Sequence, residues 1–289
     1  MNEQYPFYFI TDIHGSRTRY YSLFSLLEKT PPRCLLMGGD ILPFGYTPSG
    51  SNHSYEDFFD TFFFPGLNTL RNTLGEEYPE ILIILGNDDA KTAEPFLHTG
   101  EEQGLFTYIN NRKYNIGPYS IFGYSFVPPT PFMLKDWERY DVSRYADPLC
   151  IHPADGRHSV PVSEYEKNHA TIQDDLSTLA GKEVMDHAIF LFHTPPYMTH
   201  LDLADLAGKT VDHVPLDPHV GSIAVKRFIE ERQPLITLHG HIHESPQLSG
   251  HWRDRIKRTH MFSAAHNGSE LAVVMFTPDH PEDACRMLF

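Results

Sequence analysis

The 289-residue chain carries 23 basic and 38 acidic side chains. The resulting formal net charge of −15 repels a polyanion unless bound metal or a local basic patch reverses the field, which disfavours long nucleic acid as a partner. Its three cysteines, Cys34, Cys150 and Cys285, have no paired spacing and exclude a disulfide framework, and its apolar runs are far too short to cross a bilayer.

Phe7-Tyr8-Phe9-Ile10-Thr11 reads as a buried strand, a short aromatic and β-branched run stopped by Asp12-Ile13-His14-Gly15. Ser16 then caps a helix to about Lys29, with Tyr20, Leu23, Phe24 and Leu27 on its apolar face, and Pro31-Pro32 ends it. A second strand, Arg33 to Met37, breaks at Gly38-Gly39-Asp40, and a loop rich in Pro, Gly and Ser follows to about Ser54. The next helix or helix pair, Glu56 to Leu74, holds five phenylalanines and is expected to be buried, with a break or kink at Pro65-Gly66. Ile81 to Leu85 is a third strand, stopped at Gly86-Asn87-Asp88-Asp89. After a mixed segment to Asn111, Tyr119 to Phe126 is another.

Residues 127–168 are rich in proline, with Trp137, Arg139, Tyr140 and Tyr145 between and no clear period. An ordered insertion over the site is expected there, serving substrate selection or a contact between two copies of the chain. A helix from about Asn168 to Leu179 precedes the strand His187 to Phe192, which ends in His193-Thr194-Pro195-Pro196-Tyr197. Ser222 caps a helix to about Arg232, and Pro234 to Thr237 leads into Leu238-His239-Gly240-His241-Ile242-His243-Glu244. Met261 to Ser263 and Leu271 to Phe276 close the chain as strands joined by a turn at Asn267-Gly268.

Five strand ends thus carry polar clusters: Asp12-x-His14, Gly39-Asp40, Gly86-Asn87, His193 and His241-x-His243. Taken singly, each reads as a turn, a cap or a structural histidine. Ligands of open α/β sheets bind beyond the carboxyl ends of the strands, so clusters spread over more than 230 residues can converge, which makes residues 1–289 a single domain. On extended backbone His241 and His243 point the same way, and Gly240 lets the chain pass close to them. Together the five clusters read as a metal centre. His200, His219, Tyr197 and His266 lie where they could reach that pocket. The helix start at Ser222 and Arg17 are candidates to meet a phosphate, with ordinary capping and a solvated surface arginine as the simpler accounts.

The order Asp-x-His, Gly-Asp, Gly-Asn, His, Gly-His-x-His resembles the calcineurin-like metallophosphoesterase superfamily. Within it, His193-Thr194-Pro195-Pro196, His219-Val220-Gly221-Ser222 and Gly240-His241-Ile242-His243-Glu244-Ser245 are similar to a bacterial and archaeal group of small phosphoesterases. The resemblance implies an α/β fold, a two-sheet αββα sandwich with an active-site insertion. It also implies one metal on Asp12, His14 and His243, another on Asn87, His193 and His241, and Asp40 bridging the two. The nucleophile would be a metal-bridging hydroxide, with the ions, manganese, iron, zinc, cobalt or nickel, about 3.5–4 Å apart. Two departures stand out. The family's Gly-Asn-His is Gly86-Asn87-Asp88 here, so Asp88 would supply the missing acid only if protonated, a supporting place behind the ligands or in a turn being the plainer account. Ile41-Leu42-Pro43 also lacks the charges many members place after the bridging aspartate. Both favour small phosphodiesters with a good leaving group, of nucleotide or aryl type, over phosphomonoesters and phosphoproteins. A nuclease on the same centre and a catalytically weak sensor or interaction module of the same fold are the other readings. The expected compartment is the cytoplasm.

Overall fold

The computed structural model describes residues 6–44 and 53–289, so residues 45–52 of the expected Pro, Gly and Ser-rich loop lie outside it. Two six-stranded sheets face each other. In chain order the strands are β1 Phe7–Ile10, β2 Cys34–Gly38, β3 Glu80–Ile84, β4 Thr107–Tyr108, β5 Lys113–Ile116, β6 Tyr119–Tyr124 and β7 Ala188–Phe192. A small pair, β8 Thr210–Val211 and β9 Val214–Pro215, precedes β10 Ile236–His239, β11 Arg253–Ile256, β12 Thr259–Ser263, β13 Ala272–Thr277 and β14 His280–Leu288. The first sheet runs β14-β13-β1-β2-β3-β4 and the second β11-β12-β10-β7-β6-β5.

In each sheet the central strands are parallel: β1 with β2 and β2 with β3, β6 with β7 and β7 with β10. Their carboxyl ends therefore lie along one edge. Alternation sorts their side chains. Phe7, Phe9, Leu36 and Leu82 meet Ile121, Ile189, Leu191 and Leu238 in the core between the sheets. Tyr8, Ile10, Leu35 and Met37 turn outward beneath Leu23 and Leu27 of α1 (Arg17–Lys29). Strands covered on both faces read as unbroken apolar runs, which is why these were visible in the sequence.

The helix expected over 56–74 is continuous instead of broken at Pro65: α2 His53–Asp57, a π segment Phe58–Phe63 and α3 Phe64–Leu74 follow one another. Proline has no N–H to donate and its ring crowds the turn before it. The wider π turns sit in that preceding stretch, and Phe58, Phe59, Phe62, Phe63 and Phe64 all stay buried. A shorter helix, α4 Glu94–Glu102, fills part of the mixed segment.

The insertion is ordered. Trp137 and Tyr140 are buried, and Asp136 accepts hydrogen bonds from the backbone N–H groups of Lys91 and Ser159, at 2.7 and 2.8 Å. It ends in α5 Glu164–His169, and the helix expected from Asn168 instead begins after the cap Thr171, as α6 Ile172–Ala180. α7, Ile223–Arg232, starts at Ser222 as expected, and α8, Ser245–Ser249, follows the last histidine cluster.

β12 and β13 do not pair with each other as the expected hairpin; β12 turns back on β11 and β13 on β14. β12 lies parallel to β10 in the second sheet, β13 antiparallel to β1 in the first, and residues 264–271 cross between them. Phe262 and Phe276 then pack across the gap at 5.7 Å, a burial that a two-residue hairpin would forgo.

Candidate metal centre

Asp12 and His14 follow β1, Asp40 follows β2, Asn87 follows β3, His193 follows β7, and His241 and His243 follow β10. All seven stand at one edge of the sandwich. Asp12, His14, Asp40 and His243 present ligand atoms within 4.8 Å of one another, and so do Asp40, His193 and His241. Asp40 belongs to both groups. The Nε2 atoms of His14 and His243 are 3.0 Å apart, and His243 Nε2 is 3.4 Å from Asp12 Oδ1. On the other side His193 Nε2 lies 3.1 Å from Asp40 Oδ2 and 3.1 Å from Asn87 Oδ1. The His193 Nδ1–H donates to the Gly38 carbonyl at 2.8 Å, which points Nε2 at Asp40 and Asn87.

The backbone is bent to achieve this. Asp12, His14, Asp40 and His241 have φ of 56°, 49°, 50° and 71°. Non-glycine residues rarely occupy this left-handed region, and each such residue costs on the order of 1–3 kcal/mol. The pairing of β1 with β2 continues past their ends and holds the bend, with Asp12 N–H donating to Gly39 O at 3.0 Å and His14 N–H to Asp40 O at 2.8 Å. Glycine is required at three approaches: a Cβ on Gly39 would lie 2.7 Å from His193 Nδ1, one on Gly86 would lie 2.6 Å from His193 Nε2, and one on Gly240 would lie 2.8 Å from Asp12 Oδ2. His241 and His243 converge through a turn, in which Ile242 N–H donates to Gly240 O at 2.8 Å, and not through the extended alternation expected from the sequence. The third histidine of that stretch, His239, is structural. Its ring nitrogens meet Thr194 O and Thr237 Oγ1, and burial pushes it down to about 4.

The electrostatics call for cations. Asp12 and Asp40 are buried, and Asp12 Oδ2 and His14 Nδ1 have no hydrogen-bond partner. Buried carboxylates this close together persist only when paired or bound to metal. Burial alone would raise Asp40, but His193 first, then His14 and His241, hold it well below the usual carboxylate range. Burial opposes protonation of His193, and Asp40 outweighs it, raising His193 to about 10. Burial and then His193 push His241 down to about 3. Two carboxylates, an amide oxygen and four imidazoles make a mixed oxygen and nitrogen donor set without thiolate, which fits divalent transition metals.

Asp88 stands at the mouth. Its Oδ2 is 3.7 Å from His14 Nδ1, its Oδ1 accepts from Asn87 Nδ2 at 3.1 Å, and burial, then the charge of Asp40, push its carboxyl up to about 7. Two residues beside the centre were not legible in the sequence. Arg19, not Arg17, reaches the first motif, donating to the Asp12 carbonyl at 2.6 Å; Arg17 lies 3.6 Å from Asp57 on the surface. Asp89 is wholly buried and accepts from the N–H groups of Gly86, Ile41 and Leu42 at 3.0, 3.1 and 2.9 Å. It joins the loops that carry Asp40 and Asn87.

The outer candidates find other partners. His219 Nδ1 is 2.8 Å from Asp202 Oδ1, Tyr197 donates to Asp217 at 2.6 Å, the His200 ring meets His251, and His266 meets Glu270. The start of α7 is closed to a phosphate, because Asp141 accepts from Ile223 N–H at 2.6 Å and Ala224 N–H at 3.2 Å and Ser222 caps the turn.

The sequence profile of the family described as calcineurin-like phosphoesterase matches residues 5–245. The chain belongs to this family. Calcineurin-like phosphoesterases are metal-dependent hydrolases, and this chain has two overlapping groups of side chains that could hold metal ions. No curated protein sequence matches the chain. Among solved structures, TT1561 of Thermus thermophilus is 14% identical over 98% of both chains, with a TM-score of 0.57. The phosphopantetheinyl hydrolase PptH of Mycobacterium tuberculosis is 11% identical over 92% of this chain and 91% of its own, with a TM-score of 0.51. These likenesses establish a shared fold.

Proposed function

We propose that this calcineurin-like phosphoesterase is a dinuclear enzyme that hydrolyses a phosphoester of a small molecule or nucleotide, a phosphodiester in preference to a monoester. The observation that carries the reading is Asp40, which belongs to both ligand groups at once. Asp12, His14 and His243 would hold one ion, Asn87, His193 and His241 the other, and the two oxygens of Asp40 would serve both. Two such ions lower the pKa of water and polarise the phosphoryl oxygens.

The remaining chemistry falls to the chain. Two carboxylates against two divalent charges leave the centre positive, enough to receive the single charge of a diester. Asp88, at the mouth beside His14, would hold a proton for the departing oxygen, and Asn87 Nδ2 orients its carboxyl. Ile41 and Leu42 are buried, so the segment after Asp40 brings no charge to the site, which suits a diester better than the dianion of a monoester. The insertion, bound through Asp136 to the backbone of Lys91, is the segment we assign to substrate selection.

The test is hydrolysis of bis-p-nitrophenyl phosphate and p-nitrophenyl phosphate after chelation and add-back of manganese, iron, zinc, cobalt and nickel. Metal-restored activity, greater on the diester and lost in Asp40→Ala, is the expected result. Inactivity with every metal, in protein shown by elemental analysis to hold two ions, would overturn it.

A further inference from the structure

Phe44 is 74% exposed, yet it is not a stray surface side chain. Its ring lies on the imidazole of His14, with centroids 4.9 Å apart and planes 12° from parallel. A single exposed phenylalanine ordinarily needs no explanation. This one is set in place. The N–H groups of Ile41 and Leu42 are tied to Asp89, Pro43 packs against Gly15 with no room for a side chain between them, and Phe44 is the next residue. The same imidazole has His243 at its Nε2 and Asp88 beyond its Nδ1. One face of the Phe44 ring is thus covered by a residue of the metal cluster, and its exposure leaves the other to solvent at the mouth of the site.

Building on the phosphoesterase reading, we infer that the open face of Phe44 is a stacking subsite for a planar ring carried by the substrate, an aryl group or a nucleobase on the phosphoester. An aromatic face favours an offset parallel ring over an aliphatic or sugar group, and base stacking of this kind tolerates any base. Phe44 stands one ring beyond His14, a member of the cluster that would bind the phosphoryl group, within reach of a substituent leaving the site on that side.

Adenosine 5′-monophosphate and ribose 5-phosphate share a sugar phosphate and differ by the base, so they separate stacking from phosphate binding. Calorimetric titration of the manganese-loaded protein should show the adenine nucleotide bound about tenfold more tightly. Phe44→Leu should abolish that difference and leave ribose 5-phosphate affinity unchanged, and Phe44→Tyr should keep it. Because Phe44 is exposed, neither variant threatens folding. Equal affinities in the wild type, or a difference that survives Phe44→Leu, would overturn the subsite. So would an equal loss for both ligands in Phe44→Leu, which would make Phe44 only a support for His14. Hydrolysis of p-nitrophenyl esters without any base preference would sink the subsite alone. A base preference without hydrolysis would sink the phosphoesterase reading alone.

Discussion

Asp89 ties the two loops that deliver Asp40 and Asn87, using both carboxylate oxygens to accept three backbone N–H groups. Burial, then the charge of Asp40, push its carboxyl up to about 8 against the pull of those donors. Asp89→Asn keeps the shape but turns an N–H₂ toward a backbone N–H. The loss should be about 1–3 kcal/mol in urea unfolding, with metal affinity falling about 10–100-fold, as when support behind a ligand is removed. Unchanged metal affinity would show that the strained loops hold themselves. Asp88 calls for a kinetic test. Asp88→Asn should slow hydrolysis of alkyl esters more than of p-nitrophenyl esters, since only a poor leaving group needs its proton; equal losses would remove the acid role. At this scale the sequence showed the cluster residues because unusual residue types recur at strand ends. It hid Asp89 and Arg19, whose partners are backbone atoms: Asp89 reaches across to Ile41 and Leu42, and Arg19 holds the carbonyl of Asp12.

Secondary-structure elements divide the same way. The central strands are apolar on both faces and were legible, whereas the edge strands β5, β11 and β14 are largely exposed or half-buried, with only Ile116 of β5 and Pro281 and Ala284 of β14 buried, and offered no run to find. The insertion lacks regular periodicity because polar contacts organise it. Lys135 and Glu138 form an ion pair with both side chains fully buried, and Glu138 also accepts from Thr130 N–H at 2.7 Å. Glu138→Ala should cost about 3–5 kcal/mol by leaving the ammonium buried and unpaired, while Lys135→Met with Glu138→Leu should be neutral or stabilising by about 1–4 kcal/mol. Urea unfolding distinguishes them, and a double variant as unstable as the single one would mean that the charges themselves organise the loop. The pair has a pH signature as well. Burial raises the Glu138 carboxyl from 4.5 to about 7, against Lys135 and Thr130. The folded state therefore binds more protons than the unfolded one between these values. Wild-type stability should fall relative to the double variant as pH rises from 4.5 to about 7. A flat difference across that window would place the group at its ordinary value.

On the scale of the molecule, the cluster is drawn from both halves of the sandwich. Asp12, His14, Asp40 and Asn87 leave the first sheet, and His193, His241 and His243 leave the second. Unliganded, this edge gathers two buried carboxylates, an unsatisfied Asp12 oxygen and four left-handed residues, all of which favour letting the sheets part there. Metal bound to both sheets should therefore stabilise the whole fold instead of one loop. At free metal a hundredfold above Kd, each ion adds about 2.7 kcal/mol. That corresponds to a rise in Tm of roughly 5–10 °C per ion, taking about 2–4 °C per kcal/mol for a protein of a few hundred residues. Scanning calorimetry with and without chelator should show that rise as a shift of one cooperative transition. Asp40→Ala should respond far less, since it removes the ligand common to both groups, and its unliganded form should lose little stability because a buried charge has gone. A rise confined to local protection of residues 238–245 in hydrogen exchange, with Tm unmoved, would mean that the second sheet binds the ion alone and that the two halves are not joined through it.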